Sequence, residues 1–386
     1  MYISMYIIKF LRKEGKKIFM GKEVINNKKV VHKKLFTPGP TNVKEDVLQK
    51  IATPMISHRT KEASKLQKDI SNKMKKLMYT KNEILLSTSS ACGLMEGALR
   101  SCTQKRAAVF SCGVFGNQWY QMAITNNIPC DKFEVEWGEP ITKEIVKSAL
   151  DSGKYDLITI THNETSTGIM NPIEEIAEIV KNYPEVVFCL DTVSSLGGVK
   201  IEVNKLGVDI CLASTQKCLA LPPGFSVCSI SEKAIEAAKK VKFRGSYFDL
   251  LRLYDWVKEK DYQYPSTPSL SHMFALDYQL DKIFEEGLEN RFSRHVKVAN
   301  YVREWAKNNF ALFAEEKYSS NTVTCVENTR NIDVNKLNET LGEKGYTISN
   351  GLEKIKDKTF RIGHMGEAKI LDLKGLFDSI NEILKL

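Results

Sequence analysis

Short apolar runs that end in polar residues recur along this chain, each followed by a stretch of helical period. Glu83–Ser87, Ala107–Phe110, Lys132–Trp137, Asp156–Thr161, Val186–Leu190, Asp209–Ala213 and Ser226–Ile230 read as strands. Runs that are apolar throughout, such as Val186–Leu190, are expected to be buried on both faces, the habit of parallel sheets. Helical segments fall between them. Lys61–Met78 has apolar residues at 66, 70, 74, 77 and 78, and others are expected at about Leu94–Ser101, near Lys143–Ser152, and from Lys233. Asn171 is placed to cap a further helix with Pro172 at its first position, running to about Lys181. This alternation predicts an α/β fold with a large, doubly wound, mostly parallel sheet.

The pattern changes after Tyr264-Pro265-Ser266-Thr267-Pro268. A long helical region runs from Ser271 past Glu286, with Gly287 as an interruption, and from about Asn290 the chain reads as α+β. Strands are expected at Thr322–Glu327 and at Thr359–His364, which carries Arg361, and helices at Val334–Leu341 and Ile370–Leu384. The expected division is a basic, poorly ordered extension over 1–34, a segment 35–55 joining the small domain, a large domain 56–290, and a small C-terminal α+β domain 291–386.

Two strand ends carry the chemistry. Asp191 follows Val186–Leu190, and Ser214-Thr215-Gln216-Lys217 follows Asp209–Ala213. Open α/β sheets bind ligands at the carboxyl ends of their strands. A lysine in an apolar pocket is a candidate Schiff-base former, because desolvation frees its amine. An acid beside a pyridine nitrogen keeps that nitrogen protonated, a partnership of pyridoxal phosphate sites. The competing reading is an acid and a lysine that only punctuate loops. Thr88-Ser89-Ser90-Ala91-Cys92-Gly93, between a strand and a helix, could offer N–H groups to a phosphate, or be an ordinary N-cap. Phe115, in Gly113-Val114-Phe115-Gly116, could face a planar ring or anchor its helix. Gly39, in a Pro/Gly turn cluster, could admit a ligand close to the backbone.

Composition narrows this picture. The net charge of +9 is concentrated at the start: residues 1–34 hold ten Lys/Arg and two acids, leaving about +1 for the rest. The excess therefore gives no reason to expect a nucleic-acid partner. No apolar run reaches the ~18 residues that span a bilayer, so no membrane partner is expected. Nine scattered cysteines without a CxxC pair indicate buried thiols in a reducing, cytoplasmic setting, and six scattered histidines give no metal-ligand spacing.

The motifs TPGPTNV, SHR (57–59), STSSACGLMEGAL (87–99), GVFG, THNETSTG, LDTVSSLGG, STQK, PPG, STP, GLENR and RIG occur in order along residues 35–386. In this the chain resembles the class V aminotransferases of fold type I, in the branch of alanine:glyoxylate and serine:pyruvate aminotransferases. The resemblance implies the PLP-transferase fold and pyridoxal 5′-phosphate as cofactor. It implies that Lys217 forms the aldimine and shuttles the proton, and that Asp191 binds the pyridinium nitrogen. Phe115 would stack on the ring, where many relatives have Trp. Ser90, Ala91 and Cys92 match the phosphate loop, Cys92 as a weaker donor than the relatives' His or Thr, and Gln216 also reaches the phosphate. Thr165 stands near the ring oxygen. Tyr264 and Thr267 match positions that touch the neighbouring subunit's phosphate, which implies a homodimer with shared sites. Arg361 matches the arginine that grips the substrate carboxylate, and Gly39 would approach that substrate from the partner chain. The implied activity is ping-pong transfer of an amino group from a small amino acid, such as alanine or serine, to a small 2-oxo acid, glyoxylate or pyruvate. The alternatives on the same fold are a 2-aminoethylphosphonate:pyruvate aminotransferase and a cysteine desulfurase or lyase.

Overall fold

Seven five-residue strands stack side by side, the inner ones because their side chains are apolar or small on both faces, while the edge strand Cys130–Glu134 is charged and partly exposed. They are β1 (Glu83–Ser87), β2 (Ala107–Ser111), β3 (Cys130–Glu134), β4 (Leu157–Thr161), β5 (Val187–Asp191), β6 (Ile210–Ser214) and β7 (Ser226–Ile230). The computed structural model describes residues 33–386. The extension expected over 1–34 thus lies, for residues 1–32, outside the described residues.

The sheet order is β1-β7-β6-β5-β4-β2-β3. β3, β2, β4, β5 and β6 run parallel, whereas β7 is antiparallel to both β6 and β1. The mostly parallel sheet expected from the apolar runs is therefore present, with its one reversed strand near an edge. Apolar side chains cover both faces. Ile84, Phe110, Ile158, Phe188 and Val227 belong to one core, and Leu85, Val109, Leu157, Val187 and Cys228 to the other.

A second sheet follows in the order β8-β9-β11-β10, from β8 (Ala311–Leu312), β9 (Val323–Glu327), β10 (Ser349–Asn350) and β11 (Thr359–Gly363), all pairs antiparallel. The helices Leu288–Asn309 and Ile370–Leu384 pack on it through Val298, Val302, Leu373 and Phe377, with Phe360 and Ile362 from β11. Gly287, with φ +82°, separates Leu288–Asn309 from Leu270–Glu286 as the sequence indicated.

The chain enters through the second sheet's core. Lys34–Leu35 pairs in parallel with Tyr346–Thr347, and Phe36 packs beside Phe360 and Ile362. The carbonyl of Phe36 then accepts from Gly363 N at 2.6 Å, and Thr41 N donates to Gln216 O at 3.1 Å. Residues 36–41 thus bridge β11 and the turn that holds Lys217.

Two local expectations are corrected. The helix after β1 starts at Ala91, not Leu94, so Ala91 and Cys92 form its first turn with Ser90 at the N-cap. Asn171 does not cap the next helix, which is Ile173–Val180 with Pro172 at its N-cap. The Asn171 side chain instead accepts from Ile141 N at 2.7 Å and donates to Thr161 O at 2.7 Å, joining two buried loops.

Candidate active site

The carboxyl ends of β4, β5 and β6 open on one cavity. Its lining includes Ser90, Ala91, Cys92, Phe115, Thr165, Asp191, Gln216 and Lys217, so eight of the residues singled out from the sequence meet there. Met95, Gln118, Thr161, Asn163, Val193 and Ser194 complete the wall. Sequence reasoning passed over these six, because each looks like an ordinary helix, strand or loop residue until long-range packing brings it in.

Asp191 ends β5 and is almost fully buried. Its Oδ1 accepts from Val193 N at 2.9 Å and its Oδ2 from the indole Nε1 of Trp119 at 3.3 Å. Burial pushes its pKa up to about 6, against the pull of those two hydrogen bonds, so it is mainly anionic at neutral pH. Lys217 sits in the turn after β6. Burial, with the positive charge of Arg361 nearby, brings its pKa down to about 8. Its Nζ donates to Pro38 O in the same chain.

Gly39 lies against this lysine. A Cβ there would fall 2.5 Å from Lys217 Cδ and 2.7 Å from Nζ, and φ is +94°, so both space and backbone call for glycine. Gly39 reaches the lysine of its own chain, because residues 36–41 are tied down on β11 at one end and on Gln216 at the other.

Ser90, Ala91 and Cys92, the residues expected to receive a phosphate, occupy the N-terminus of the helix Ala91–Cys102. Ser90 makes no side-chain cap bond, which leaves first-turn N–H groups for an anion. Cys92 Sγ accepts from Gln118 Nε2 at 3.3 Å, and Gln216 Oε1 accepts from Ser214 Oγ at 2.6 Å. Tyr264 and Thr267 do not line the cavity. Tyr264 is buried, with its hydroxyl accepting from Thr88 N at 3.2 Å behind the loop, while Thr267 is exposed.

Arg361, on β11, does not line the cavity but stands behind Thr165, which does. Its Nε and Nη2 donate to Asn350 O, each at 3.1 Å, and its Nη1 to Thr165 O at 3.3 Å. Thr165 Oγ1 in turn shares a 2.5 Å hydrogen bond with Ser194 Oγ. All of Arg361's protein acceptors are carbonyls, so its charge is free for a ligand carboxylate. Burial lowers its pKa, which reflects how little water attends it.

Residues behind the wall hold it in place. Glu164 is fully buried and accepts from Phe115 N at 3.1 Å, Gly116 N at 3.0 Å and Ser166 Oγ at 2.5 Å, pinning the helix that carries Phe115. Arg291, 1% exposed, donates to Gly197 O and Cys218 O at 2.7 Å each, and to Glu286 and Glu367 at 2.7 and 2.9 Å. It thereby ties the turn after β5, the turn carrying Lys217 and the segment after β11 to one helix.

A parallel-sheet switch region with a buried lysine, a buried acid and a helix N-terminus defines the fold type I pyridoxal phosphate enzymes. The chain belongs to the class V aminotransferases: the family described as Aminotransferase class-V matches residues 35–359. It is 40% identical over 344 residues to an uncharacterized aminotransferase of Methanocaldococcus jannaschii, covering 87% of this chain and 88% of that protein. It is 31% identical over 363 residues to serine–glyoxylate aminotransferase of Arabidopsis thaliana, covering 91% and 90%. The crystal structure of alanine–glyoxylate aminotransferase from Nostoc sp. superposes with a TM-score of 0.87 at 26% identity, covering 92% and 95%.

The protein is accordingly a pyridoxal-phosphate-dependent transaminase, and its cavity fits that group. Thr161 and Asn163 are on the lining, and their buried Oγ1 and Oδ1 have no partner among the described residues, the mark of a wall built for a polar ligand. The amide of Asn163 is oriented by its neighbours. Thr322 Oγ1 gives its proton to Ser194 O at 2.7 Å and so must accept from Asn163 Nδ2 at 2.9 Å, which turns Oδ1 the other way.

Proposed function

We propose that this transaminase moves an amino group from a small amino acid, such as alanine or serine, to glyoxylate or pyruvate, in ping-pong order. The observation that carries the reading is Arg361, a buried guanidinium with no acidic partner among the described residues, standing behind the cavity wall with its Nη1 on the carbonyl of the lining residue Thr165. A carboxylate fits it by a charge-assisted, two-pronged contact.

When bound, the cofactor supplies the electron sink for the carbanion formed at the substrate's Cα. Lys217, already partly neutral near pH 8, would hold the cofactor through its aldehyde and serve as the base for the Cα proton. Asp191 would keep a proton on the ring nitrogen, Phe115 would offer its face to the ring, and Ser90, Ala91, Cys92 and Gln216 would hold the phosphate. Thr165 would meet the ring oxygen, Gly39 would leave room beside the donor, and Tyr264 and Thr267 would serve the site of a second copy in a homodimer. Residues 56–290 would then be the large cofactor-binding domain and 291–386 the small one.

Among the described residues, no Lys or Arg besides Lys217 lines the cavity, and Arg361 stands behind Thr165, which favours donors with uncharged side chains over a phosphonate or a second carboxylate. A desulfurase needs a mobile, ionisable thiol late in the chain. Cys325 is instead 2% exposed on β9, and burial pushes its pKa up to about 12. Nine free cysteines accord with a reducing, cytoplasmic setting, and none of the described helices is long and apolar enough to cross a membrane. The test is a matrix of amino donors against glyoxylate, pyruvate and 2-oxoglutarate. Transfer confined to 2-aminoethylphosphonate, or sulfide release from cysteine, would overturn the reading.

A further inference from the structure

The helix Val114–Thr125 sends three side chains toward the site from one face, at the i, i+3 and i+4 spacing that shares a helix side. Phe115 lines the cavity, Gln118 bonds Cys92, and Trp119 bonds Asp191. The start of this helix is fixed by Glu164, which accepts from Phe115 N and Gly116 N. Trp119 itself is 1% exposed, packed in the core that lies under the cavity. Its indole is therefore held firmly, and its single N–H is aimed at Asp191 Oδ2.

We propose that Trp119 is the positioning residue of Asp191: its N–H keeps that carboxylate ionised and aimed, and so sets the acid limit of the site. This rests on the proposed role of Asp191 at the ring nitrogen. The other groups facing Asp191 do not substitute for Trp119. Lys217 approaches from the turn after β6, and its own charge is weakened by burial. Glu164 has the wrong sign and disfavours the carboxylate. Cys189 and Cys211, on β5 and β6, are kept as neutral thiols by burial. His162, whose backbone N donates to Asp191 O, is held neutral with its pKa at about 4. Among the described residues, only Val193 N and Trp119 Nε1 donate to the carboxylate oxygens, and Val193 serves the other one.

Two measurements test this. The first uses the full chain without cofactor, labelled with 5-fluorotryptophan. Its four tryptophans give four fluorine resonances, and Trp119→Phe identifies one of them. That resonance should titrate with a midpoint near 6 and stop titrating in Asp191→Asn. A pH-independent resonance overturns the contact. The second uses the enzyme loaded with pyridoxal phosphate, with Trp119→Phe and with 3-benzothienylalanine at 119, which keeps the bicyclic shape and lacks the N–H. In both, the acid limb of kcat/KM and of the bound cofactor's absorbance titration should move up by about one pH unit. A limb that stays in place while the plateau falls reduces Trp119 to packing and overturns the proposal. If no amino donor is turned over by the wild type, the proposed function fails; the fluorine titration still decides whether Trp119 holds Asp191.

Discussion

Lys217 donates from Nζ to the carbonyl oxygen of Pro38, in a segment nearly two hundred positions earlier in the same chain. That bond fixes where the amine waits and makes the next residue, Gly39, part of the site.

Gly39→Ala should disable the site while leaving the fold. The added Cβ meets Lys217 Cδ and Nζ at 2.5 and 2.7 Å, and the positive φ strains any L side chain. A displacement of about 1 Å at a reacting group costs about 10²-fold in rate, and that is the expected fall in kcat. Kinetics alongside a thermal melt check it; normal turnover would mean that the strap yields freely.

Arg361→Gln should raise KM for the amino donor and the oxo acid more than it lowers kcat. Losing charge-assisted hydrogen bonds to a carboxylate costs about 1.5–3 kcal/mol, or about 10- to 150-fold in kcat/KM. Arg361→Lys should recover only part, because an ammonium cannot make the paired contact. Steady-state kinetics with both variants distinguish these outcomes.

Capture of pyridoxal phosphate by the cofactor-free protein should depend on pH through Lys217. Burial lowers its pKa to about 8, so the reactive neutral amine dominates above that value. Below it, the capture rate should rise about tenfold per pH unit, then level off. Stopped-flow absorbance reads this directly, and a rise continuing toward pH 10 would show that burial has not freed the amine.

Arg291→Ala should destabilise the protein by about 3–5 kcal/mol, because Glu367 and Glu286 lose a buried partner. Glu367, which Arg291 and Lys44 hold ionised at a pKa of about 2 despite its burial, is the group most exposed to this loss. Adding Glu367→Gln to the variant should restore part of the stability. Denaturant unfolding of the single and double variants checks the coupling.

Cys325→Ser should leave amino transfer intact and release no sulfide from cysteine in either form. The thiol is buried on β9 with Sγ directed to Ser166 O, so it has no path to a substrate. Sulfide production lost on substitution would restore the desulfurase alternative.

Much of the architecture was legible because it rests on local pattern. The runs ending at Asp191 and Ser214 form strands within one residue of the expected bounds, and Ile370–Leu384 is helical as its periodicity required. The direction of β7 was not legible, since an apolar run carries no sign of which way it lies beside its neighbours. The early start of the Ala91 helix was hidden by small residues that suit both loop and helix. In the site, the acid and the lysine stood out because each closes an apolar run. Trp119, Glu164 and Asn163 did not, because their roles come from contacts 72, 48 and 157 residues away. Arg291 lay in a motif, GLENR, whose purpose appears only when its carbonyl partners at 197 and 218 are seen around it.

The arm formed by residues 34–41 is stitched to Tyr346–Thr347, Gly363 and Gln216 in turn. A fusion partner joined ahead of Lys34 leaves those stitches whole, whereas trimming past Phe36 loosens the cover over the amine and strips Gly363 N of its acceptor at one stroke. Protein engineers should therefore treat this stretch as interior wall, however close it stands to the front of the polypeptide.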